Sequence, residues 1–269
     1  MDNILVVGAN GQLGSEIKEI ALDYKNFNFF FTDLKKLNIT DHNAVNEFVK
    51  INRINVIINC AAYTSVDKAE SEPMLANLVN HLAVANFAQI VKEKNIKLVH
   101  ISTDYVFDGT NYKPYTEVDI PNPLSVYGQT KLNGELAIKK INPPNSIIIR
   151  TSWVYSKFGN NFVKTMLSLA KTKEQISVVS DQIGSPTNAA DLAQVVLTIV
   201  PLIKNKGVEV LHFSNEGVCS WYDFAKAIFK LKALKIKVDP INSKQYSTSA
   251  IRPYYSVLDK TLIKKKYRL

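Results

Sequence analysis

The chain has 269 residues, 46% of them hydrophobic, a formal net charge of +9 and two cysteines. That length suits one large α/β domain, alone or with a small companion lobe. Its uninterrupted apolar runs fall far short of the ~20 residues that cross a bilayer, and two cysteines cannot staple a secreted fold. The lysines are dispersed, and apolar residues interrupt the denser run Phe229-Lys-Leu-Lys-Ala-Leu-Lys-Ile-Lys237; with Lys264-Lys-Lys266 it reads as solvated surface, with no nucleic-acid and no membrane partner. A basic surface still attracts anionic small molecules.

Met1-Asp-Asn runs directly into an apolar strand at residues 4–7, with no basic start and no cleavage site, so a cytoplasmic location is expected. The turn Gly8-Ala-Asn-Gly-Gln-Leu-Gly14 follows at once and opens a helix whose apolar positions are Leu13, Ile17, Ile20, Ala21 and Tyr24. Strand, glycine turn and helix in that order suit a dinucleotide: small residues let the backbone approach a pyrophosphate, and the helix N-terminus favours its charge. A second strand at 27–31 leads to Thr32-Asp33, where a carboxylate can accept from an adenosine ribose. Asp33 favours NADH, whereas Lys35 and Lys36 beside it can accommodate the 2′-phosphate of NADPH, so both cofactors stay open.

Thr40-Asp41 caps a helix over 44–49, and a third strand at 56–59 ends in Asn59-Cys-Ala-Ala-Tyr-Thr64, whose small residues let the backbone pass close to a flat ligand. The fourth strand, 98–102, places Ser102 or Thr103 at the carboxyl edge of the sheet, where open α/β folds bind ligands. In Ser125-Val-Tyr-Gly-Gln-Thr-Lys131, Tyr127 and Lys131 are spaced to share one helix face. A cation there is expected to lower the phenol from its ordinary pKa of about 10 and bring its proton into neutral-pH chemistry. A fifth strand follows at 147–150.

Beyond about residue 152 the rhythm loosens. Asn160-Asn-Phe-Val, the turn-rich Ser180-Asp-Gln-Ile-Gly-Ser-Pro-Thr187, a late strand at 210–214 and a helix over 224–231 capped by Ser220-Trp-Tyr-Asp223 indicate a smaller lobe. Continuous rather than alternating apolar strands mean a parallel sheet covered on both faces. The expected architecture is α/β, a Rossmann-like doubly wound parallel sheet over 1–152 with a smaller, interleaved C-terminal substrate lobe over 153–269. Segments at about 175–200, the strand 176–179 and the helix 189–200, are expected to return to the core.

Ser102-Thr-Asp-Tyr-Val-Phe-Asp-Gly109, Ala62-Tyr-Thr-Ser-Val-Asp-Lys-Ala-Glu70, Arg150-Thr-Ser-Trp-Val-Tyr155, Ser180–Thr187 and Arg252-Pro-Tyr-Tyr-Ser256 narrow the reading. With the glycine turn and the Tyr/Lys pair, the chain resembles the extended short-chain dehydrogenases/reductases and, along nearly its whole length, the dTDP-4-dehydrorhamnose reductase family. The resemblance implies reduction of the C4 ketone of dTDP-4-dehydro-L-rhamnose by a reduced nicotinamide, in dTDP-rhamnose and surface polysaccharide biosynthesis. It also implies roles. Tyr127 would donate the proton, Lys131 would bind the nicotinamide ribose, and Thr103 would hydrogen-bond the substrate. Asp104 and Trp153 match sugar-nucleotide contacts. Gly8, Gly11, Gln12, Leu13, Gly14, Asp33, Ala62, Tyr63 and Thr64 fall to the cofactor, with Asn38 and Ile39 against the adenine, although many members carry an acidic residue in place of Asn38. Some members dimerise through magnesium held by glutamates, and Glu16 matches one such position. The acidic residue of Pro186-Thr-Asn-Ala-Ala-Asp191 stands one place later than that site requires, which argues against a metal-linked dimer and leaves a monomer or a homodimer. The competing readings are a reductase or epimerase of another nucleotide-linked deoxysugar, and a non-catalytic regulatory subunit of the same fold.

Overall fold

The computed structural model describes residues 1–269. Six parallel strands form the main sheet: β1 (Asp2–Val7), β2 (Phe27–Thr32), β3 (Val56–Asn59), β4 (Lys97–Thr103), β5 (Ser146–Thr151) and β6 (Val208–His212). Their spatial order is β6-β5-β4-β3-β1-β2. The chain winds outward from β1 to β2, then crosses back to β3 and proceeds the other way. The switch point therefore lies between β1 and β3, where a doubly wound sheet opens a crevice at its carboxyl ends. Register aligns those ends, with Val7 beside both Thr32 and Asn59, and Thr103 beside Thr151.

Successive strand residues face opposite layers, and the core divides accordingly. Ile4, Val6, Ile58 and Ile149 pack with Leu13, Ile17, Leu192, Val196 and Ile263, under helices Gln12–Ile20, Ala189–Ile199 and Thr261–Tyr267. Leu5, Val7, Ile57 and Ile148 pack with Val45, Val49, Phe87, Ile90 and Ile138, under helices His42–Ile51, Ala83–Lys94 and Val126–Ile141. Burying such a side chain fully stabilises by about 1.5–3 kcal/mol, so both layers hold the sheet flat against its helices. Asp41 caps its helix by accepting from the Ala44 N–H at 3.0 Å, and Ser220 with Asp223 forms a capping box, as their sequence positions indicate.

Three segments depart from the sequence expectation. Helix Pro73–Lys94 has the length and hydropathy of a membrane span although its sequence contains no long apolar run; here its face of Ala83, Val84, Phe87, Ile90 and Val91 is buried in the core. The late strand, assigned from sequence to the smaller lobe, is β6 of the main sheet and pairs with β5. Its first three residues are only half-buried at the sheet edge, so its apolar signal is weak. Of the segment at 175–200, helix Ala189–Ile199 covers the core, but strand Gln175–Val179 does not rejoin the main sheet; it pairs in parallel with Lys237–Ile241. A short β-branched run fits either sheet, and here helices Phe162–Leu169 and Trp221–Leu231 decide it by enclosing Met166, Val178, Ala225, Ile228 and Phe229 in a separate cluster. Two short pairings, Val154–Tyr155 with Thr187–Asn188 and Ile183–Gly184 with Cys219–Ser220, join segments of this later part of the chain.

Candidate active site

A cleft of about 1030 Å³ runs along the carboxyl ends of the central strands, with Trp153, Phe162 and Trp221 on one side. Its floor begins at the glycine turn. Gly8 has φ +71°, and a Cβ there would stand 2.6 Å from the Ala61 nitrogen, so only glycine lets the loops after β1 and β3 meet. Gly11 caps helix Gln12–Ile20 without any side-chain bond to its first amides. N–H groups at such a helix start are left free to meet an anion. Gly8, Gly11, Gln12 and Leu13 line the cleft. Gln12 also reaches across the cleft, donating to the Val154 carbonyl at 3.3 Å and accepting from Asn161 at 2.9 Å.

Asp33, Asn38 and Ile39, after β2, line the cleft, as do Ala62 and Thr64 after β3. The Asp33 carboxylate is already engaged, accepting from the Asn10 side chain and from the Lys35 and Lys36 amides. Asn38 accepts from the Thr40 amide and hydroxyl. Two expected residues are elsewhere. Gly14 packs beneath the Gly8 carbonyl and Ala9, outside the lining. Tyr63 turns away, donating its hydroxyl to the Glu72 carboxylate, while Asn80 accepts from its amide at 2.8 Å.

Thr103, Asp104, Tyr127 and Lys131 converge at the centre. Gly128 allows this, because a Cβ there would lie 2.3 Å from the Tyr105 carbonyl and push helix Val126–Ile141 off the end of β4. Tyr127 packs edge-on against Tyr105, centroids 5.8 Å apart. The Thr103 hydroxyl donates to Asp104 Oδ1 at 3.1 Å and accepts from the Tyr105 amide. Asp104 Oδ2 is buried with no partner, and burial pushes this carboxyl up to about 7.

The Tyr127 phenol is not lowered, contrary to what the spacing of Tyr127 and Lys131 predicts. Burial raises it to about 12; the Thr103 hydroxyl opposes the rise and the Asp104 charge adds to it. The physical reason is the direction of Lys131. Sharing a helix face does not fix where a long side chain ends, and Lys131 Nζ donates to the Ile101 carbonyl at 2.6 Å, 3.5 Å from His100 Nε2. Burial lowers Lys131 to about 8, against the opposing charge of Glu135.

At the other wall Trp153, at φ +48°, stacks its indole on Trp221 with centroids 3.6 Å apart and planes 7° apart. Phe162 closes on Trp221 at 4.6 Å, and Arg252 lines the same cleft while paired with Asp67. Trp221, Phe162 and Arg252 have no site role in the sequence reading. Arg252 stands in one of the segments that carry the resemblance, and Trp221 follows a cap signal that described only a helix start. Glu16 is buried and accepts from Ser156 at 2.6 Å; Asp191 accepts from Asn215. No group of three His, Cys, Asp or Glu residues comes together to hold a metal ion.

A family model described as the RmlD substrate binding domain matches residues 1–269. A dTDP-4-dehydrorhamnose reductase of Aggregatibacter actinomycetemcomitans is 42% identical, over 99% of this chain and 94% of that protein. The crystal structure of a dTDP-4-dehydrorhamnose reductase from Clostridium acetobutylicum superposes with a TM-score of 0.92 at 45% identity, covering 97% of this chain and 91% of its own. That of the Bacillus anthracis dTDP-4-dehydrorhamnose reductase in complex with NADP does so with 0.93 at 40% identity, covering 98% and 92%.

Proposed function

The chain belongs to the RmlD substrate-binding-domain family, and from that premise and the cleft we propose how it reduces the C4 ketone of dTDP-4-dehydro-L-rhamnose to dTDP-L-rhamnose. It is an NAD(P)H-dependent oxidoreductase of dTDP-rhamnose biosynthesis. The observation that carries the reading is the convergence of Thr103, Tyr127 and Lys131 in one cleft with an uncapped helix N-terminus.

The residues present fit a dinucleotide. The cradle at Gly8, which a Cβ would fill, and the free amides after Gly11 suit a pyrophosphate. Gly11, Gln12 and Leu13 would hold that part, Ala62 and Thr64 the middle, and Asp33, Asn38 and Ile39 the adenosine end. Bound there, a reduced nicotinamide supplies the hydride.

The protein's task is then the proton. As the C4 carbonyl becomes an alcohol, its oxygen takes the phenolic proton of Tyr127. A phenol at about 12 is fully protonated at neutral pH, so the donor is always loaded. It is still far more acidic than the sugar alcohol that forms, whose hydroxyl resembles water, so transfer to the alkoxide runs downhill. The Thr103 hydroxyl, turning its one proton from Asp104 to Tyr127, stabilises the resulting phenolate, and Lys131 adds positive charge from the same helix. Asp104 and the Trp153 indole would orient the sugar nucleotide. The reading places the reaction in the cytoplasm, where reduced nicotinamide is supplied and where both cysteines, free here, stay reduced.

The test is oxidation of NADPH and NADH by the purified protein with dTDP-4-dehydro-L-rhamnose, and NMR of the sugar product. Stoichiometric oxidation with dTDP-L-rhamnose formed is expected, and Tyr127→Phe should cut turnover roughly 10²–10⁴-fold while leaving the melting temperature nearly unchanged. Sugar conversion without net nicotinamide oxidation would mean an epimerase. A folded protein that oxidises neither cofactor with this sugar would point to another nucleotide sugar or to a non-catalytic subunit.

A further inference from the structure

His100 lies on β4, fully buried and outside the cleft lining, yet both its ring nitrogens face polar groups. Nδ1 is 3.0 Å from Asn59 Nδ2. The Asn59 amide is oriented by its other end, because Oδ1 accepts from the Ala61 N–H at 3.0 Å. Turning it over would set two donors against each other, so Nδ2 donates to the imidazole and Nδ1 carries no proton. Burial keeps the ring neutral by holding its pKa well below the usual histidine value. The single proton of a neutral imidazole then sits on Nε2, which faces Lys131 Nζ at 3.5 Å.

An Nε2–H opposite an ammonium is a donor facing a donor. Opposite a neutral amine it finds a lone pair, and an amine N–H still serves the Ile101 carbonyl at 2.6 Å. We infer that His100, locked by Asn59 in its Nε2–H tautomer, is a positioning residue for Lys131, seating its nitrogen against Ile101 and making its ammonium give up a proton more readily. The inference rests on the role given to Lys131 above.

The other groups around Lys131 do not supply this bias. Glu135, on the same helix, favours the ammonium, and is itself held by Arg150 and Ser102. Cys60, at the end of β3, is an unionised thiol at neutral pH, raised by burial to about 12. Tyr127, on the same helix face, is likewise neutral there, and Asp104 at the end of β4 directs its charge at Tyr127 and Tyr105. Burial and the His100 N–H act together, and only the second can be removed by one substitution.

The experiment is the pH profile of kcat/KM, which reports the free enzyme, with 15N NMR of histidine-labelled protein. In the wild type activity should fall as Lys131 loses its proton near pH 8. His100→Leu removes the opposing N–H, so this alkaline limb should move up by about one pH unit. His100→Gln, whose amide can donate from a similar place, should restore the wild-type limb. Coincident profiles for wild type and His100→Leu, whatever the change in kcat, would overturn the inference. So would an Nδ1–H tautomer of His100 in the NMR spectrum, which decides the matter even where His100→Leu does not fold. Wild-type kinetics in Lys131→Met would instead remove the role of Lys131, while the tautomer still tests the His100 seat on its own.

Discussion

Asp104 combines two conditions that rarely coexist: a carboxylate oxygen with no partner and a position beside the proton donor. Its folded pKa, raised to about 7 from 3.8, means that the native state binds more protons than the unfolded chain between those values. Stability from this group therefore falls as pH rises through that window. Asp104→Asn lacks this loss. Its melting temperature relative to wild type should climb by roughly ten degrees from about pH 4 to pH 7 and then level off, whereas its turnover should fall. A melting-temperature difference that does not change with pH would show that the carboxyl titrates normally. At this scale the sequence is legible where chemistry comes from neighbours in the chain. Thr103, Asp104, Tyr127 and Lys131 each reach the cleft. It is illegible where a side chain must choose a direction, so that Tyr63 leaves the cleft for Glu72 and Lys131 ends on Ile101. Trp221 arrives from a distant segment, and no local pattern announces its place in the cleft.

Helix Val126–Ile141 is joined to β5 by an ion pair with no exposure on either side: Arg150 donates to Glu135 from both Nε and Nη2, at 2.9 and 2.7 Å. Ser102 on β4 donates to the same carboxylate at 2.6 Å, and the Arg150 guanidinium lies over the Phe107 ring. One carboxylate thus binds the helix that carries Tyr127 and Lys131 to the two strands beneath it. Removing one partner of such a pair strands a buried charge and costs about 3–5 kcal/mol. Glu135→Gln should lose roughly that much in denaturant unfolding, and Glu135→Leu combined with Arg150→Met should recover most of it. Equal loss in the single and double variants would contradict this account. Strands β1, β3, β4 and β5 were readable because burial on both faces makes their apolar runs continuous. The sequence does not place strand β6 or strand Gln175–Val179 in its sheet, because a short strand records its burial and not its partner.

The cleft as a whole is closed from two sides, by loops after the sheet strands and by the aromatic wall of Trp153, Phe162 and Trp221. A ligand that spans it stabilises the native state by mass action. NADPH at about one hundred times its dissociation constant should add about 2.7 kcal/mol, which for a chain of this size raises the melting temperature by roughly 5–10 °C. Gly8→Val, which drives a side chain into the Ala61 backbone, should abolish that shift at the same concentration. An undiminished shift would place the dinucleotide elsewhere.

Strand β6, residues 208–212, and helix Thr261–Tyr267 complete the sheet and one of its two layers. On the ribosome this has a cost in time. A nascent chain that has emerged as far as residue 207 already holds five strands, but β5 still shows a bare edge, and Leu211, Ile263 and Tyr267 are missing from the core they will join. Unpaired strand edges and open apolar layers attract other chains. Native assembly therefore waits on synthesis of residues 208–267, and a chain stalled or truncated before them becomes a client for chaperones and proteases rather than a smaller working enzyme.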